Sequence, residues 1–426
     1  MATHNLDAGA SLPPLAQALK SRWWQLLCGV ICAMVASNPQ YLWTLFTRPL
    51  TAQLGVSLPS LQVTFSILIV CQTFLSPLEG LLIERFGPRW LLSAGGAITG
   101  LSWILTSRAE SLLSVYLCYG VLGGIGVGIV VVGTIGLMAR WFPDRRGFAI
   151  GVVMAGFGMG AMLTTFPVTV GIARYGYQHT LEVYGLILGA VGILAALGMR
   201  LPPPGYMSDW QPKTGAVTDT RTGAMLRTPL FWLMFIMMSM MATSGLMVTS
   251  QMAVFMRDFG LAGVTVFGLA ALPLALTIDR VANGVTRPLF GGISDLIGRE
   301  LTMLLAFGME AIAMFLWLKL RHDPVLFVLL SGVVFLGWGE IFSLFPSTLT
   351  DTFGNRHAIV NYACLSYAQG IGSILGGPLA ALLHQHTGGW DAVFGTAIAL
   401  DSCTAALAIV ALLPMRRAWL AAHRRT

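Results

Sequence analysis

The sequence predicts an all-α polytopic membrane protein in which twelve transmembrane helices form two pseudo-symmetric bundles of six. Composition is the first observation that predicts it: 56% of the 426 residues are hydrophobic, only 10% are charged, and the mean hydropathy is +0.76. A soluble chain carries about 25% charged residues, so the composition excludes a soluble enzyme. The second observation is a series of long apolar segments, and the third is a repeat that relates the two halves of the chain.

The apolar segments are long enough to cross the hydrocarbon core, which takes about 20 residues of helix. These runs are too long for the strands of a barrel and do not alternate, so helices are predicted. Numbered in chain order, the twelve predicted spans cover residues 22–47, 60–82, 90–106, 112–138, 147–171, 181–199, 228–256, 264–290, 301–320, 324–347, 358–383 and 391–413. Residues 1–20 are polar and lack the apolar run of a signal peptide.

Residues 200–227 form the longest stretch between spans and are predicted to be a cytoplasmic linker. The linker separates an N-terminal bundle, residues 1–199, from a C-terminal bundle, residues 228–426. With the N-terminus inside, 17 of the 25 Lys and Arg residues fall on inner segments and 6 on outer loops. Because positive residues are retained on the cytoplasmic side, both termini are predicted to be cytoplasmic, with the chain in the cell inner membrane.

Two loops recur in both halves at one offset. Residues 80–89 (Gly-Leu-Leu-Ile-Glu-Arg-Phe-Gly-Pro-Arg) follow span 2, and residues 291–299 (Gly-Gly-Ile-Ser-Asp-Leu-Ile-Gly-Arg) follow span 8, 211 positions later. The same offset relates residues 142–146, after span 4, to residues 353–357, after span 10. Two six-span repeats around a central cleft are typical of a transporter whose halves rock against each other. Glycines that recur every four residues in spans 4, 5 and 11 predict close helix packing.

Span 8 carries a polar stripe in which Arg280, Asn283 and Arg287 share one helix face. An ionisable group in hydrocarbon costs about 3 kcal/mol or more, so each needs a partner or a function. We predict Arg287 to be a carboxylate anchor, because a guanidinium stays charged and grips a carboxylate through two hydrogen bonds. Asn283, one turn earlier, would bind the same oxygens or orient the arginine. The alternative is that Arg287 only extends to the cytoplasmic surface.

Two further charged positions leave two interpretations open. Asp279 and Arg280 can neutralise each other, or Glu340 in span 10 can pair with Arg280. Alternatively, Glu340 or Asp279 can carry a proton, since no histidine lies in the middle of a span.

Several segments resemble known transporters. The loop motif of residues 80–89 and 291–299 resembles the signature of the major facilitator superfamily. Within that superfamily the chain more closely resembles the oxalate:formate antiporter family, which is related to the monocarboxylate transporters. The segments that carry this second resemblance run from span 1 to span 11 and cover residues 40–45, 54–58, 86–89, 140–147, 225–232, 283–288, 344–348 and 361–362.

This resemblance implies a small carboxylate as substrate. Asn283 and Arg287 match the Asn-x-x-x-Arg-Pro motif of the family, and Tyr41 and Trp338 would supply walls of its binding site. The family has a lysine on span 11 where this chain has Gln369. One cation and an amide suit a monoanion better than a dianion, because a second carboxylate would be left unpaired. We therefore predict lactate, pyruvate or formate rather than oxalate.

The superfamily resemblance also implies a gate. There, the acid and the arginines of the loop motif tie neighbouring helix ends together when the cytoplasmic side is closed. The matching residues here are Glu84, Arg85, Arg89, Asp295 and Arg299. Simple retention of positive charge on the inner side is the alternative explanation for these arginines.

These features favour a secondary transporter of a small organic anion, working as a proton symporter or an anion exchanger. A proton-coupled exporter of drugs or other amphipathic compounds stays open because of Glu340. An enzyme is not expected, since the chain has no HExxH, GxSxG or P-loop motif. The expected partners are a small carboxylate, protons and the lipid bilayer. No nucleic acid, metal or other cofactor is expected, and the chain is predicted to be a monomer.

Overall fold

The computed structural model describes residues 21–203, 206–207, 219–261 and 263–423. The polar N-terminal segment, residues 1–20, and residues 204–205 and 208–218 of the predicted linker therefore lie outside the described residues. The described part folds into helices at the positions of the twelve predicted spans. Six spans consist of two α-helices, which in spans 4 and 12 are joined by the π-helical segments Tyr116–Leu122 and Ala408–Leu412. In span order these helices are Arg22–Tyr41 and Trp43–Leu54; Leu58–Phe74 and Ser76–Phe86; Pro88–Ser107; Leu112–Val115 and Gly123–Trp141; Arg146–Tyr175; Tyr177–Leu197; Pro229–Asp258; Ala271–Ile297; Arg299–Lys319; Pro324–Trp338 and Ile341–Phe353; Ala358–Leu365 and Tyr367–Thr387; and Asp391–Leu407 and Leu413–Ala422.

Within the described ranges, eight helical segments are long and apolar enough to cross a membrane, and span 2 makes a ninth across its 49° bend. Spans 3, 8 and 11 are more polar. Span 8 contains two carboxylates and two arginines, while spans 3 and 11 are rich in glycine and hydroxyl side chains. Polar residues inside membrane helices face the bundle interior or an aqueous cavity, so these spans are where a polar site is expected.

Span 8 begins later than the sequence predicts. The expected start at residue 264 is wrong, because residues Thr265–Val266 and Leu269–Ala270 pair as a short antiparallel hairpin. Its turn is Phe267-Gly268, with φ of 52° and 79°, the two positive values that a tight two-residue hairpin needs. The helix starts only at Ala271.

The recurring glycines let helices approach each other closely, as predicted. A Cβ atom on Gly124 would lie 2.6 Å from the carbonyl oxygen of Leu68 in span 2, and one on Gly160 would lie 2.5 Å from the Cα of Met34 in span 1. In the other half, a Cβ on Gly372 would lie 2.4 Å from the Cβ of Ala242. Small residues at such crossings allow the backbone-to-backbone packing that holds membrane bundles together.

The two bundles meet at the helix ends predicted to be cytoplasmic. A Cβ on Gly147 of span 5 would lie 2.2 Å from the carbonyl oxygen of Gly291 in span 8, and a Cβ on Gly291 would lie 2.1 Å from that of Gly147. Gly80 of span 2 approaches the backbone of Val360 in span 11 in the same way, at 3.2 Å. The cavities between the bundles lie toward the opposite ends of these helices. The structure is therefore closed on the predicted cytoplasmic side.

Replacing Gly291 with alanine should open this closed interface. A methyl group cannot fit there without separating the two backbones, and overpacking of this kind costs about 1–3 kcal/mol. Spin labels on exposed Trp90 and Leu296, in a background without other cysteines, should show a larger population at long distance. Gly292→Ala is the matched control, since its Cβ would meet only a ring carbon of Phe148 at 3.8 Å. Identical distance distributions in the two variants would contradict this account of the interface.

Candidate functional site

Arg287 lies at the interface of the two bundles. Its side chain is only 2% exposed. Nη1 donates to the carbonyl oxygen of Met154 in span 5 at 2.5 Å, and Nη2 donates to Oδ1 of Asn283 at 2.6 Å. The guanidinium carbon is 4.7 Å from the ring centre of Phe342 in span 10. The charged group thus sits between protein elements of both bundles and does not extend to a surface.

This buried cation has no acidic partner among the described residues. No carboxylate within that part of the chain lies within 4.0 Å of the Arg287 guanidinium, and Nε has no hydrogen-bond partner there. Removing a charge from water costs several kcal/mol unless a counter-charge and hydrogen bonds replace the lost hydration. A cation kept under these conditions is suited to receive an anion from solution.

A cavity of about 280 Å³ lies between the bundles, lined not by Arg287 itself but by its hydrogen-bond partner Asn283 and by Gly158. Gly158 also approaches the guanidinium, since a Cβ built on it would lie 3.6 Å from Cζ of Arg287. Residues predicted to form the site line this cavity: Tyr41, Asp279, Arg280, Asn283 and Trp338. Trp338 is fixed by a hydrogen bond from Nε1 to the carbonyl oxygen of Met241, at 3.0 Å. Gln369 is half-buried on span 11 and does not line this cavity.

Glu340 occupies the break in span 10, between the helix that ends at Trp338 and the one that begins at Ile341. Its carboxyl group is fully buried. One oxygen lies 3.5 Å from the hydroxyl of Thr286, the residue before Arg287, and the other has no hydrogen-bond partner within the described residues. The break therefore brings a buried acid beside the polar stripe of span 8.

Arg280 does not form either of the ion pairs suggested by the sequence. Among the described residues, neither Asp279 nor Glu340 lies within 4.0 Å of its guanidinium. Consecutive helix residues point about 100° apart, so Asp279 is buried while Arg280 is exposed to the cleft. The guanidinium carbon of Arg280 lies 5.4 Å from the ring centre of Tyr41.

Asp295 ties the bundles together at their closed end. Its two oxygens accept hydrogen bonds from the backbone amides of Gly147, at 3.1 Å, and Phe148, at 3.0 Å. These amides belong to the first turn of the span 5 helix, which begins at Arg146. Asp295 also pairs with Arg299, at 2.6 Å. A carboxylate from one bundle thus caps a helix of the other, where the amides and the helix dipole favour negative charge.

A second carboxylate, Asp351 of span 10, extends this cluster. Asp351 pairs with Arg299 at 2.8 Å and with Arg146 of the other bundle. Neither Asp351 nor Arg146 is among the gate residues predicted from the sequence. The 211-residue offset was the available signal, since it places Asp351 at the position equivalent to Arg140.

Of the other predicted gate residues, Glu84 belongs to a cross-bundle contact. Glu84 pairs with Arg140 at 2.7 Å, and Arg140 also donates to the carbonyl oxygens of Asn355, at 3.1 Å, and Arg356. Arg85 and Arg89 are exposed and lie over the rings of their own neighbours, Phe86 and Trp90. The structure does not bring these two arginines into the cluster.

Two helical bundles, a polar cavity between them and charged clusters that close one end define a multi-pass membrane transporter. The chain belongs to the Major Facilitator Superfamily, whose sequence model matches residues 26–278 and 272–424. Proteins of this family are carriers and not enzymes.

Curated relatives span most of the chain. It is 33% identical over 378 residues to the oxalate:formate antiporter of Oxalobacter formigenes, with 88% of each chain covered. It is 26% identical over 333 residues to monocarboxylate transporter 13 of Bos taurus, with 77% of this chain and 75% of the relative covered. Among solved structures, the proton:xylose symporter XylE matches with a TM-score of 0.68 and 15% identity, covering 91% of this chain and 94% of that one. The structural likeness confirms the predicted fold.

Proposed function

We propose that this protein is a secondary active transporter of a small monocarboxylate, such as lactate, pyruvate or formate, in the cell inner membrane. The observation that carries the proposal is Arg287, a buried guanidinium between the bundles without an acidic partner in the described residues. The similarity to an oxalate:formate antiporter and to a monocarboxylate transporter supports a carboxylate as its ligand.

The arrangement of cations favours a monoanion. Arg287 lies at the bundle interface, and Gln369 stands on span 11 where the antiporter family has a lysine. The other cation of the cleft, Arg280, lies seven residues away along span 8, or about 10.5 Å at helical rise. This rise exceeds the length of oxalate, so one oxalate would bridge the two guanidinium groups only if the arginine side chains bent toward each other. Otherwise the second carboxylate of oxalate would stay unpaired in the cleft, at a desolvation cost that a monoanion avoids.

Alternating access follows from the contacts of Arg287. In the closed-inside structure its Nη1 bonds to the carbonyl oxygen of Met154, which links span 8 to span 5. A bound carboxylate competes for the same donors and neutralises the buried charge. The substrate thereby loosens one link between the bundles while relieving the cost of the bare cation. This difference in affinity between the two states shifts their equilibrium.

Coupling proceeds either by proton symport or by anion exchange. Glu340 supports the first, because its buried carboxyl group lies beside Thr286 and one of its oxygens has no hydrogen-bond partner among the described residues. The same acid also favours the second candidate function, a proton-coupled exporter of drugs or other amphipathic compounds. The two adjoining cavities, of about 280 and 430 Å³, together have room for a drug-sized ligand. The small anion is favoured instead by the buried guanidinium of Arg287, which has no acidic partner among the described residues.

Purified protein in liposomes should take up labelled monocarboxylates in preference to oxalate. Formate, acetate, lactate, pyruvate and oxalate would be compared with and without a pH gradient, and with and without unlabelled anion inside. Leaving one carboxylate unpaired is expected to weaken oxalate competition at least about tenfold, which corresponds to about 1.4 kcal/mol. Protein-free liposomes serve as the control.

Each outcome of this assay has a defined meaning. Stimulation by an inward proton gradient would indicate symport, and stimulation only by internal anion would indicate exchange. Strong competition by oxalate without uptake of any monocarboxylate would contradict the proposed substrate class. Absence of uptake of all five acids would contradict carboxylate transport itself.

A further inference from the structure

We propose that Arg280 forms a second anion site, separate from Arg287, at which a small carboxylate binds first on its way to the centre of the protein. This inference rests on the proposed function, because it assigns to the transported carboxylate an additional binding position in the same cleft. The site lies in a cavity of about 430 Å³ between spans 1, 5 and 8, here called the outer cavity, and the cavity of about 280 Å³ described above is called the inner cavity.

The outer cavity has one charged group among the described residues that line it, and that group is Arg280. The remaining lining is apolar apart from Tyr41 and four threonines: Thr44, Thr165, Thr169 and Thr277. Asp279 lines the inner cavity but not this one. The outer cavity therefore presents a net positive charge, and a cleft lined by one sign of charge raises the local concentration of the opposite ion.

The charge of Arg280 is available for a ligand. Its side chain is exposed to the cleft, and no carboxylate of the described residues lies within 4.0 Å. Its ring contact is with Tyr41, at 5.4 Å. A cation–π contact at an exposed site contributes only about 0.5–1 kcal/mol, and it does not neutralise the charge. A carboxylate can bind the free edge of the guanidinium while this contact persists.

Arg280 also lies where the two cavities meet. Arg280, Tyr41 and Gly158 line both of them. From Arg280 the polar stripe of span 8 continues through Asn283 to Arg287 on one helix face. The ring of Tyr41 packs edge-on against Phe157 of span 5, with ring centres 5.8 Å apart. An anion bound to Arg280 therefore lies at the junction of the two cavities, beside Tyr41, which lines both.

The test compares the two faces of the membrane. Arg280→Gln should raise the half-saturation concentration for labelled formate and lactate about fivefold when they are added on the cavity side, the effect of one partly solvated charge pair. From the opposite side, half-saturation and the maximal rate should change less than twofold. Arg280→Lys should retain most of the wild-type behaviour. Right-side-out and inside-out vesicles give the two measurements.

Chemical modification of the Arg280→Cys variant tests the role of the charge in a single folded protein, because the charge is added after folding. An aminoethyl thiosulfonate reagent restores a positive charge and should lower the half-saturation concentration on the cavity side, whereas the sulfonatoethyl reagent adds a negative charge and should raise it further. The parent protein treated with either reagent controls for Cys403, which is exposed.

Equal effects of both reagents, an unchanged half-saturation concentration for Arg280→Gln, or equal changes on both faces of the membrane would overturn the proposal. If the wild type moves none of the acids, both this inference and the proposed function fail. If it moves them and Arg280 has no effect, only this inference fails.

Discussion

Replacing Arg287 with glutamine is expected to abolish carboxylate uptake. The glutamine amide keeps part of the polarity and length of the side chain but removes the charge. Truncating one partner of a buried hydrogen-bonded charge pair costs about 2–5 kcal/mol, which corresponds to a loss of affinity of about 30-fold to more than 1,000-fold. Uptake of labelled lactate or formate into liposomes, at concentrations near the wild-type half-saturation value, should fall to background.

Stability measurements show whether Arg287→Gln loses uptake because it cannot bind substrate or because it does not fold. Arg287 is a buried cation without a described acidic partner, so replacing it with a neutral group removes a desolvation cost. The thermal unfolding midpoint of Arg287→Gln should therefore equal or exceed that of the wild type. Arg287→Lys keeps the charge but not the two-pronged geometry, and it should retain partial uptake. Arg108→Gln, at an exposed position, is the control and should behave as wild type. Normal uptake by Arg287→Gln would refute the assigned role.

Replacing Asp295 with asparagine should slow transport about tenfold while leaving substrate binding within about threefold of wild type. The substitution keeps one oxygen for the amides of Gly147 and Phe148, but it removes the negative charge that favours the helix terminus. That interaction contributes about 0.3–2 kcal/mol. It also removes one of the two carboxylates paired with Arg299, which weakens the closed-inside state. Initial rates of uptake and equilibrium binding to the detergent-solubilised protein measure the two quantities.

Asp391→Asn is the matched control for Asp295→Asn. Asp391 pairs with Arg321 at 3.0 Å within one bundle, and its side chain is 73% exposed, so its loss should change neither transport nor binding. If Asp295→Asn transports at the wild-type rate, the cross-bundle cap does not act as a gate. If it loses binding as well, the effect arises from folding or from the substrate site.

The span pattern could be read from the sequence because membrane crossing needs long apolar runs, and such runs survive any detail of packing. Breaks within a helix could not be predicted from the sequence in this way. Span 10 is apolar on both sides of Glu340, and a single acid does not mark a break, so hydropathy does not show that its helix stops at Trp338 and restarts at Ile341. The hairpin before Ala271 was missed for a related reason, since its Val and Leu residues read equally well as the start of a membrane helix.

Part of the candidate site was also readable. Asn283 and Arg287 stand out because polar residues one turn apart in an apolar helix are rarely accidental. The partner of Arg287 on span 5 was not predictable, because the carbonyl oxygen of Met154 leaves no trace in residue type. The sequence also suggested that Arg280 is neutralised by a nearby acid. In the folded chain it turns toward Tyr41 instead, since adjacent helix residues diverge.

Equilibrium binding tests the central claim, that Arg287 holds the substrate carboxylate, most directly. Purified wild type, Arg287→Gln and Arg280→Gln would be titrated with radiolabelled lactate and formate in detergent. The expected result is saturable high-affinity binding to wild type, the same high-affinity binding to Arg280→Gln, and a dissociation constant raised at least about 30-fold for Arg287→Gln. Binding of either acid to Arg287→Gln with wild-type affinity would show that the carboxylate is held elsewhere, and would contradict the account.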